Sequence, residues 1–433
     1  MTLKGKIFNF SSKDLFNYTA ADIMSALLSI VLSSYILVEL NSNDLGKYTT
    51  FFMMLAFFKS CTNVSNGPFL TKNYFRSEGG LLLIMPAFSC NLTFIIILLP
   101  IYIILSKFIP SYFHTEYFFP IVLVESFVFP LITLLRLKKD SGNYFRITIS
   151  HQIAYLFILL ILVYQNSFSL ENVFQAYFLS KIFLLSILLI LFIFIFKPLL
   201  RWSKDDYYIC LKEGISLLPH SMSRSINDFL DYYVIQYFLG FESLGIYSML
   251  KRLAKPIQFF SASINKESSV LLSEFYAGKA SLTDIQKKEK QYYRILIAVN
   301  VFVVVFFILY NFFIFPFNYN HVLIFPLLII YTNGYLIYYM IFNTSYFKNM
   351  KISYFYNIIY MLLFVLLFAL VLIYDLKSLF FCSLPLFLAQ ILTNGLFIFK
   401  NVNEKGIAQT KKAYFALASL FFLFFGINVF NLL

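Results

Sequence analysis

The chain has 433 residues, of which 60% are hydrophobic and only 13% are charged, whereas about 25% of the residues in an ordinary soluble domain are charged. This composition excludes a soluble multi-domain enzyme, a disordered chain and a nucleic-acid-binding protein, and it indicates a helical membrane protein. The net charge of the chain is +13. We expect the excess Lys and Arg residues in cytoplasmic loops, where the basic residues of membrane proteins accumulate.

Apolar runs follow one another along the whole chain and are separated by short polar or basic loops. About 20 apolar residues cross a bilayer as a helix. Strands would need an alternating pattern and a closed barrel, and these runs do not alternate, so each run is predicted to be a helix. The predicted spans are 15–40, 45–70, 80–108, 116–138, 145–165, 170–197, 214–239, 244–272, 293–315, 320–346, 352–374, 378–400 and 412–433.

The basic residues of the loops predict the orientation of the chain. With the N-terminus in the cytoplasm, the outer loops hold only Lys47, Lys107 and Lys377, and the remaining loop Lys and Arg residues lie inside. The last run, 412–433, is predicted to be a thirteenth span because it is apolar all round. A helix lying on the membrane surface is the alternative, but such a helix should have one charged face.

The loops also predict the organisation of the chain into two halves. Residues 1–200 form an N-lobe of six spans, and residues 213–400 form a C-lobe of six spans. The polar stretch 201–212 between them is predicted to be a cytoplasmic linker, with Trp202 as an interfacial anchor. Residues 401–433 hold a loop and the predicted extra helix.

A short motif repeats across these two halves. Leu45-Gly46-Lys47-Tyr48 opens the second span and Leu244-Gly245-Ile246-Tyr247 opens the eighth, so that the two glycines lie 199 positions apart. Each motif follows a short outer turn, and glycine there permits helices to approach closely. Repeated halves of this kind are typical of transporters.

The stretch 213–276 carries a family resemblance. It resembles the polysaccharide-unit flippases, the O-antigen (Wzx-type) translocases of the multidrug/oligosaccharidyl-lipid/polysaccharide exporter (MOP) superfamily. The matching features are a Gly-to-Pro run, an Asp before the outer turn, the glycine motif and a following basic segment. In this sequence they are Gly214 to Pro219, Asp231, Phe238-Leu239-Gly240, Leu244 to Ser248 and Lys251-Arg252-Leu253-Ala254.

The resemblance implies a particular architecture and activity. About twelve core helices would form two six-helix lobes around a central cavity that opens alternately to each side of the bacterial cytoplasmic (inner) membrane. The cargo would be an undecaprenyl-pyrophosphate-linked oligosaccharide, an O-antigen or capsule repeat unit, moved to the outer leaflet. The expected partners are this substrate, membrane lipids, and polysaccharide polymerase and chain-length proteins, with no nucleic acid and no cofactor. The thirteenth span departs from the family's usual twelve.

Ionisable residues inside a bilayer are costly and rarely face lipid. In span seven, Arg224, Asp228 and Asp231 share one helix face, and in span eight Lys251 and Lys255 form another stripe. Because these two spans are joined by a short turn, Asp231 is predicted to lie beside Lys251 and Asp228 beside Lys255. Arg224 is left without a predicted partner.

The first half offers fewer charged residues within its spans. Asp22 and Lys59 could pair with each other, and Glu125 lies between Pro120 and Pro130, where freed backbone groups could help to satisfy it. Glu125 is therefore a candidate for proton coupling. His151 is predicted to be an ordinary histidine at the inner end of span five.

Together these residues predict a polar, net-cationic cavity, because Arg and Lys are the natural partners of a pyrophosphate. The alternative is that the charges neutralise one another and fix the helices in place. The predicted cavity residues are Arg224, Lys251, Arg252, Lys255, Lys59, Asp228, Asp231 and Asp22, with Glu125 for proton coupling.

Three other functions compete with flipping. A cation-coupled drug exporter of the same superfamily favours an acidic cavity, and the predicted spans hold more cations than acids. A membrane glycosyltransferase or polymerase needs a large extramembrane loop, and a non-transporting scaffold needs no intramembrane charges. No P-loop, catalytic constellation or metal-ligand spacing occurs, so neither an enzyme nor a bound cofactor is expected. The in-span cations are Lys59, Lys181, Arg224, Lys251, Arg252, Lys255 and Lys266, and the acids are Asp22, Glu125, Asp228, Asp231 and Glu267.

Overall fold

A computed structural model of the chain describes residues 12–63, 70, 84–108, 115–137, 140–166, 168–196, 202–276, 281–346, 352–374, 378–400 and 410–420. All regular secondary structure within these residues is helical. The first six helices are α1 (Ser12–Glu39), α2 (Ser42–Thr62), α3 (Ile84–Phe108), α4 (Thr115–Leu137), α5 (Ser141–Asn166) and α6 (Leu170–Phe196). The remaining helices are α7 (Lys204–Tyr276), α8 (Leu282–Phe313), α9 (Tyr319–Val322), α10 (Ile324–Tyr346), α11 (Ile352–Ile373), α12 (Leu379–Lys400) and α13 (410–420).

Short polar side chains cap the starts of several helices. Asn41 Oδ1 accepts a hydrogen bond from the backbone N–H of Asp44 at 2.8 Å, at the start of α2. Asp140 Oδ1 accepts from the N–H of Asn143 at the start of α5, and Ser169 does the same for α6. These oxygens satisfy N–H groups that have no partner within the helix. The caps therefore define where these helices begin, at or a few residues before the start of the predicted spans.

The predicted spans seven and eight are joined through Gly240, which interrupts α7 with φ 81° and ψ −178°. This left-handed region is accessible to glycine and strained for other residues. Asp231 and Lys251 are in contact across the break, although twenty residues of straight helix would separate them by about 30 Å. The chain therefore folds back at Gly240, as the predicted outer turn required.

The predicted linker 201–212 is helical from Lys204 onward and continues directly into the first arm of α7. Lys204, Asp205, Tyr208 and Lys212 are exposed. Cys210 is buried in an apolar cluster with Ala87, Cys90 and Phe94, against which Tyr207 packs. The linker segment thus has a packed face as well as a polar one.

The chain forms two compact units. Unit 1 comprises Met1–Leu28 and Thr50–Ile226, and unit 2 comprises Ser29–Thr49 and Asn227–Leu433. The end of α1 and the start of α2 therefore pack with the second half of the chain.

Each unit has its own packing. In unit 1, α4 and α6 bury leucines around Val128, Leu131 and Leu188. In unit 2, the Phe307 ring of α8 stacks on the Phe325 ring of α10 with centroids 3.8 Å apart. The side chains of these helices thus interdigitate along apolar stripes.

Five of the described helices contain stretches that are long and apolar enough to cross a membrane. Together with the helical structure of the described residues, they confirm the predicted all-α polytopic membrane fold. These stretches are Glu116–Leu135, Gly142–Gln165, Leu170–Ile193, Ile285–Phe313 and Leu379–Ile398. The predicted thirteenth span is helical over its described part in α13, and residues 421–433 lie outside the described part of the chain.

Candidate functional site

A buried carboxylate lies at the middle of α4 in unit 1. Glu125 is only 2% exposed, and its two oxygens contact different lysines. Oε2 lies 2.8 Å from Nζ of Lys59 on α2, and Oε1 lies 2.8 Å from Nζ of Lys181 on α6. These three residues, the Glu125 cluster, join three helices and carry one more positive than negative charge.

The two lysines of this cluster satisfy Glu125, and the Tyr177 hydroxyl donates to its Oε1 over 3.5 Å. Pro130 has no N–H and so frees the carbonyl of Ser126, but that carbonyl accepts a hydrogen bond from Asn91 Nδ2 at 2.6 Å. At Pro130 the freed carbonyl thus has Asn91 as its partner, and the prediction that freed backbone groups could help to satisfy Glu125 stays a prediction. Lys59 contacts Glu125. The side chain of Asp22 lies outside the described residues, so its predicted pairing with Lys59 stays a prediction.

Aromatic and polar side chains surround the cluster. Lys181 Nζ lies 5.1 Å from the centre of the Tyr177 ring, a cation–π contact that stabilises the buried ammonium. His151 is buried in the third turn of α5, where its Nε2 lies 3.3 Å from Ser180 Oγ. The prediction of a helix-end histidine is thus wrong, because α5 begins at Ser141 and places position 151 well inside the helix.

The two lysines differ in their access to the surroundings. The Lys181 side chain is 10% exposed, whereas that of Lys59 is 35% exposed. Lys181 is therefore a buried partner of Glu125, and Lys59 is the member of the cluster that an incoming group can reach.

Unit 2 holds a second buried carboxylate, Asp231. Its Oδ2 lies 2.7 Å from Lys251 Nζ and accepts a hydrogen bond from the Tyr247 hydroxyl at 2.6 Å. The Lys251 ammonium also lies 4.3 Å from the centre of the Tyr232 ring. The predicted contact between Asp231 and Lys251 is confirmed, and these two residues, the Asp231 pair, balance each other's charge.

The other predicted cavity residues are placed differently. The side chains of Arg224 and Asp228 lie outside the described residues, so the predicted contact of Asp228 with Lys255 stays a prediction. Lys255 is exposed, with Nζ 5.5 Å from the centre of the Phe259 ring.

Arg252 contacts the Ser29–Thr49 segment of unit 2. Its guanidinium donates to the Ser33 hydroxyl and, over 3.4 Å, to that of Thr49. It also lies over the Tyr48 ring at 5.0 Å. Sequence spacing gave no sign of these partners, because they lie on helices some two hundred positions earlier in the chain.

The repeated glycines meet in a contact with approximate two-fold symmetry. A Cβ atom on Gly46 would overlap the carbonyl oxygen of Phe241, and one on Gly245 would overlap that of Ser42. Thr49 Oγ1 also donates to Ser248 Oγ at 2.9 Å. Adding 199 to Ser42, Gly46 and Thr49 gives Phe241, Gly245 and Ser248, so equivalent positions of the two halves face each other. The repeat therefore marks a close approach of two helices, as predicted.

Sequence reasoning did not single out Lys181 and Tyr177 as site residues. Lys181 was visible as a cation within an apolar run, but nothing in its own helix indicated a partner. The three members of the Glu125 cluster come from helices far apart in sequence, so helical periodicity alone could not associate them.

Comparison with known proteins gives a family and a fold. Residues 36–320, more than half of the chain, match the family described as polysaccharide biosynthesis protein. A search of curated proteins found no match.

Three solved structures are similar along nearly their full length. An outward-facing multidrug resistance MATE family transporter of the MOP superfamily has 15% identity and a TM-score of 0.64, covering 94% of this chain and 96% of that one. An inward-facing MATE family transporter has 14% identity and a TM-score of 0.61, covering 96% and 97%.

The third is a MOP superfamily transporter from Pyrococcus furiosus, with 12% identity, a TM-score of 0.61 and coverage of 94% and 96%. It is described as having a binding pocket of reverse polarity that suggests a different function. At these identities the likeness establishes the fold and not the cargo.

Proposed function

Since the chain belongs to the polysaccharide biosynthesis protein family, we propose that it translocates an undecaprenyl-pyrophosphate-linked oligosaccharide. The cargo, an O-antigen or capsule repeat unit, moves from the inner to the outer leaflet of the bacterial cytoplasmic membrane. The protein does so by alternating access between the two membrane faces, with its N-terminus in the cytoplasm. The fold shared with MOP superfamily transporters supports this proposal.

The observation that carries the proposal is the charge of the Glu125 cluster. Two lysines and one carboxylate meet where Glu125, at the middle of α4, contacts residues of α2 and α6, and the accessible member is a lysine. An uncompensated cation inside a bilayer is costly unless it has a functional partner. The pyrophosphate of a lipid-linked sugar is a partner of this kind, because phosphate oxygens accept charge-assisted hydrogen bonds from ammonium groups.

Cationic residues that we propose to contact the cargo occur in both halves of the chain. Lys59 and Lys251 belong to the charge clusters described above, and Arg224 and Lys255 lie on the two arms of α7. Tyrosine and asparagine side chains suit sugar hydroxyls. In this scheme the flipped unit passes to polymerase and chain-length proteins at the outer leaflet, and no cofactor is required.

The alternative is export of small molecules coupled to a cation. It is favoured by the similarity to MATE family multidrug resistance transporters. In this alternative Glu125 carries the proton. However, cationic drugs suit an acidic site, and the Glu125 cluster carries an excess of positive charge.

The test is deletion of the gene, followed by complementation. Loss of surface polysaccharide, with the lipid-linked unit accumulating on the inner leaflet, is the expected result. Both effects should be reversed by the wild-type gene and not by Arg224→Ala. Normal surface polysaccharide with a raised sensitivity to cationic drugs would contradict flipping and support the exporter.

A further inference from the structure

We propose that Glu125 is an internal substitute for the anionic group of the cargo. Without cargo, Glu125 holds Lys59; when an oxyanion arrives, Lys59 leaves Glu125 for the oxyanion, and Glu125 remains with Lys181. The oxyanion is a phosphate of the lipid pyrophosphate or the carboxylate of an acidic sugar. Which anion is carried rests on the proposed function, whereas the exchange itself can be tested separately.

The charges of the Glu125 cluster provide the first argument. One carboxylate faces two ammonium groups, so among these three described residues one positive charge is in excess however the carboxylate is shared. A bound anion with one negative charge brings the total charge of cluster and ligand to zero. Lys59 then pairs with the anion, and Glu125 pairs with Lys181. The cluster is thus built to accept an anion and not a second cation.

The second argument is that the two carboxylate oxygens of Glu125 have different partners. Oε1 serves Lys181 and Oε2 serves Lys59, each over 2.8 Å. When Lys59 moves away, the contact between Oε1 and Lys181 remains. Glu125 therefore keeps a charged partner during the exchange, which avoids the large cost of an unpaired buried carboxylate.

Access determines which lysine exchanges. Lys181 is almost as buried as Glu125 and is further held by the Tyr177 ring. Lys59 is partly exposed and lies in the last described turn of α2. Its four-carbon stem lets the ammonium swing by rotation about side-chain bonds alone.

The chemistry of the exchange sets the class of ligand. An ammonium is a compact point charge with three donors, and a phosphate or carboxylate oxygen can replace the Glu125 oxygen directly. A neutral sugar hydroxyl cannot compete with a carboxylate for that ammonium. Because one ion pair replaces another, the anion is bound without being trapped, and Glu125 recaptures Lys59 when the anion leaves.

The test measures binding to the purified full chain in nanodiscs of zwitterionic phosphatidylcholine, by isothermal titration calorimetry. Three probes are compared: geranyl pyrophosphate, glucuronate and the neutral alcohol geraniol. Lys59→Gln removes the exchanging cation and is expected to weaken anion binding about tenfold or more. Geraniol is expected to bind all variants alike.

The decisive variant removes the competitor. Glu125→Gln alone leaves two lysines without an acid, so it is combined with Lys181→Gln, which preserves the net charge of +1 on Lys59. We expect this double variant to bind the anion about tenfold more tightly than the wild type. The matched control is Lys47→Gln, because Lys47 lies on the same helix and contacts Asp44 over the same 2.8 Å; its affinity should be unchanged.

Opposite changes in the two variants support the exchange, and the probe identifies the anion: geranyl pyrophosphate for the lipid, glucuronate for the sugar. Equal anion affinity of the double variant and the wild type would overturn the exchange, and so would unchanged anion binding by Lys59→Gln.

Thermal unfolding of each sample verifies that the variant is folded. If the exchange pattern appears but gene deletion leaves surface polysaccharide normal, the exchange stands and the proposed cargo fails. If deletion abolishes the polysaccharide while all variants bind alike, flipping stands and the exchange fails.

Discussion

The Glu125 cluster of unit 1 and the Asp231 pair of unit 2 are two different uses of a buried carboxylate. Asp231 meets one lysine and one tyrosine from the same folded-back helix, and its charge is balanced. Glu125 meets two lysines from two other helices, and a positive charge remains. Pairing within a hairpin thus closes a local structure, whereas the three-helix cluster retains a charge that a ligand can meet.

The Asp231 pair also has a structural role in the fold of α7. Both Tyr247 and Lys251 reach Asp231 from the arm beyond Gly240. Two charge-assisted contacts thus hold the arms together near the turn. A buried pair of this kind often adds little to stability relative to apolar residues, but its rupture is costly.

The largest effect on stability is expected from breaking the Asp231 pair. Lys251→Ala leaves a fully buried carboxylate without its cation and should lower the free energy of unfolding by about 3–5 kcal/mol. The measurement is thermal unfolding in detergent. The double variant Asp231→Asn with Lys251→Gln removes both charges and should recover much of the loss; if it is no more stable than Lys251→Ala, the pairing does not determine stability.

A smaller and unequal effect is expected in the Glu125 cluster. Lys181→Gln removes the buried partner and should cost about 1.5–3 kcal/mol, the range for a hydrogen bond to a charged group. Lys59→Gln should cost about 1 kcal/mol or less, because its partly exposed ion pair is screened. Unfolding of the two variants side by side decides this order, and equal losses would remove the distinction between a holding and an exchanging lysine.

The glycine contact should be sensitive to a single methyl group. Gly245→Ala places a Cβ against the Ser42 carbonyl, and forcing the helices apart should cost about 1–3 kcal/mol. The matched control is Gly142→Ala, since a Cβ at Gly142 would meet nothing within 4 Å. Thermal unfolding should separate the two variants, and an equal response would show that the helices are not in close contact at Gly245.

The smallest effect is expected at the hydroxyl pair on the approximate two-fold axis. Thr49→Val and Ser248→Ala each remove one side of a buried hydrogen bond. A double-mutant cycle should give a coupling free energy of about 0.5–1.5 kcal/mol. A coupling near zero would mean that the two hydroxyls do not stabilise the contact together.

Part of this structure follows from local sequence pattern. Apolar runs of bilayer length gave the helices, since each run satisfies its backbone hydrogen bonds within itself. The contact of Asp231 with Lys251 could be predicted because a short turn fixes which positions of two adjacent spans lie at equal depth. The repeated motif likewise indicated a close approach at Gly46 and Gly245.

The candidate site was less accessible to prediction. The predicted pairing of Lys59 with Asp22 rested on adjacent spans and stays a prediction, because the Asp22 side chain lies outside the described residues. The contact of Lys59 with Glu125, on a helix further along the chain, was not predicted. Arg252 was assigned to the cavity by its charge, and the structure shows its contacts with Ser33, Thr49 and Tyr48. The partners of Lys59 and of Arg252 lie on other helices, so the residue pattern of a single helix does not indicate them.

A chain of membrane-spanning helices, a repeated glycine motif and charged residues within the predicted spans could all be recognised from the amino-acid sequence alone. These properties depend on hydrophobic length and on the period of a single helix, both of which are local. The cluster of Lys59, Glu125 and Lys181 and the contacts of Arg252 with the Ser29–Thr49 segment emerged only from the folded chain. Charges on separate helices find their partners through the packing of those helices, and packing is a property of the whole fold.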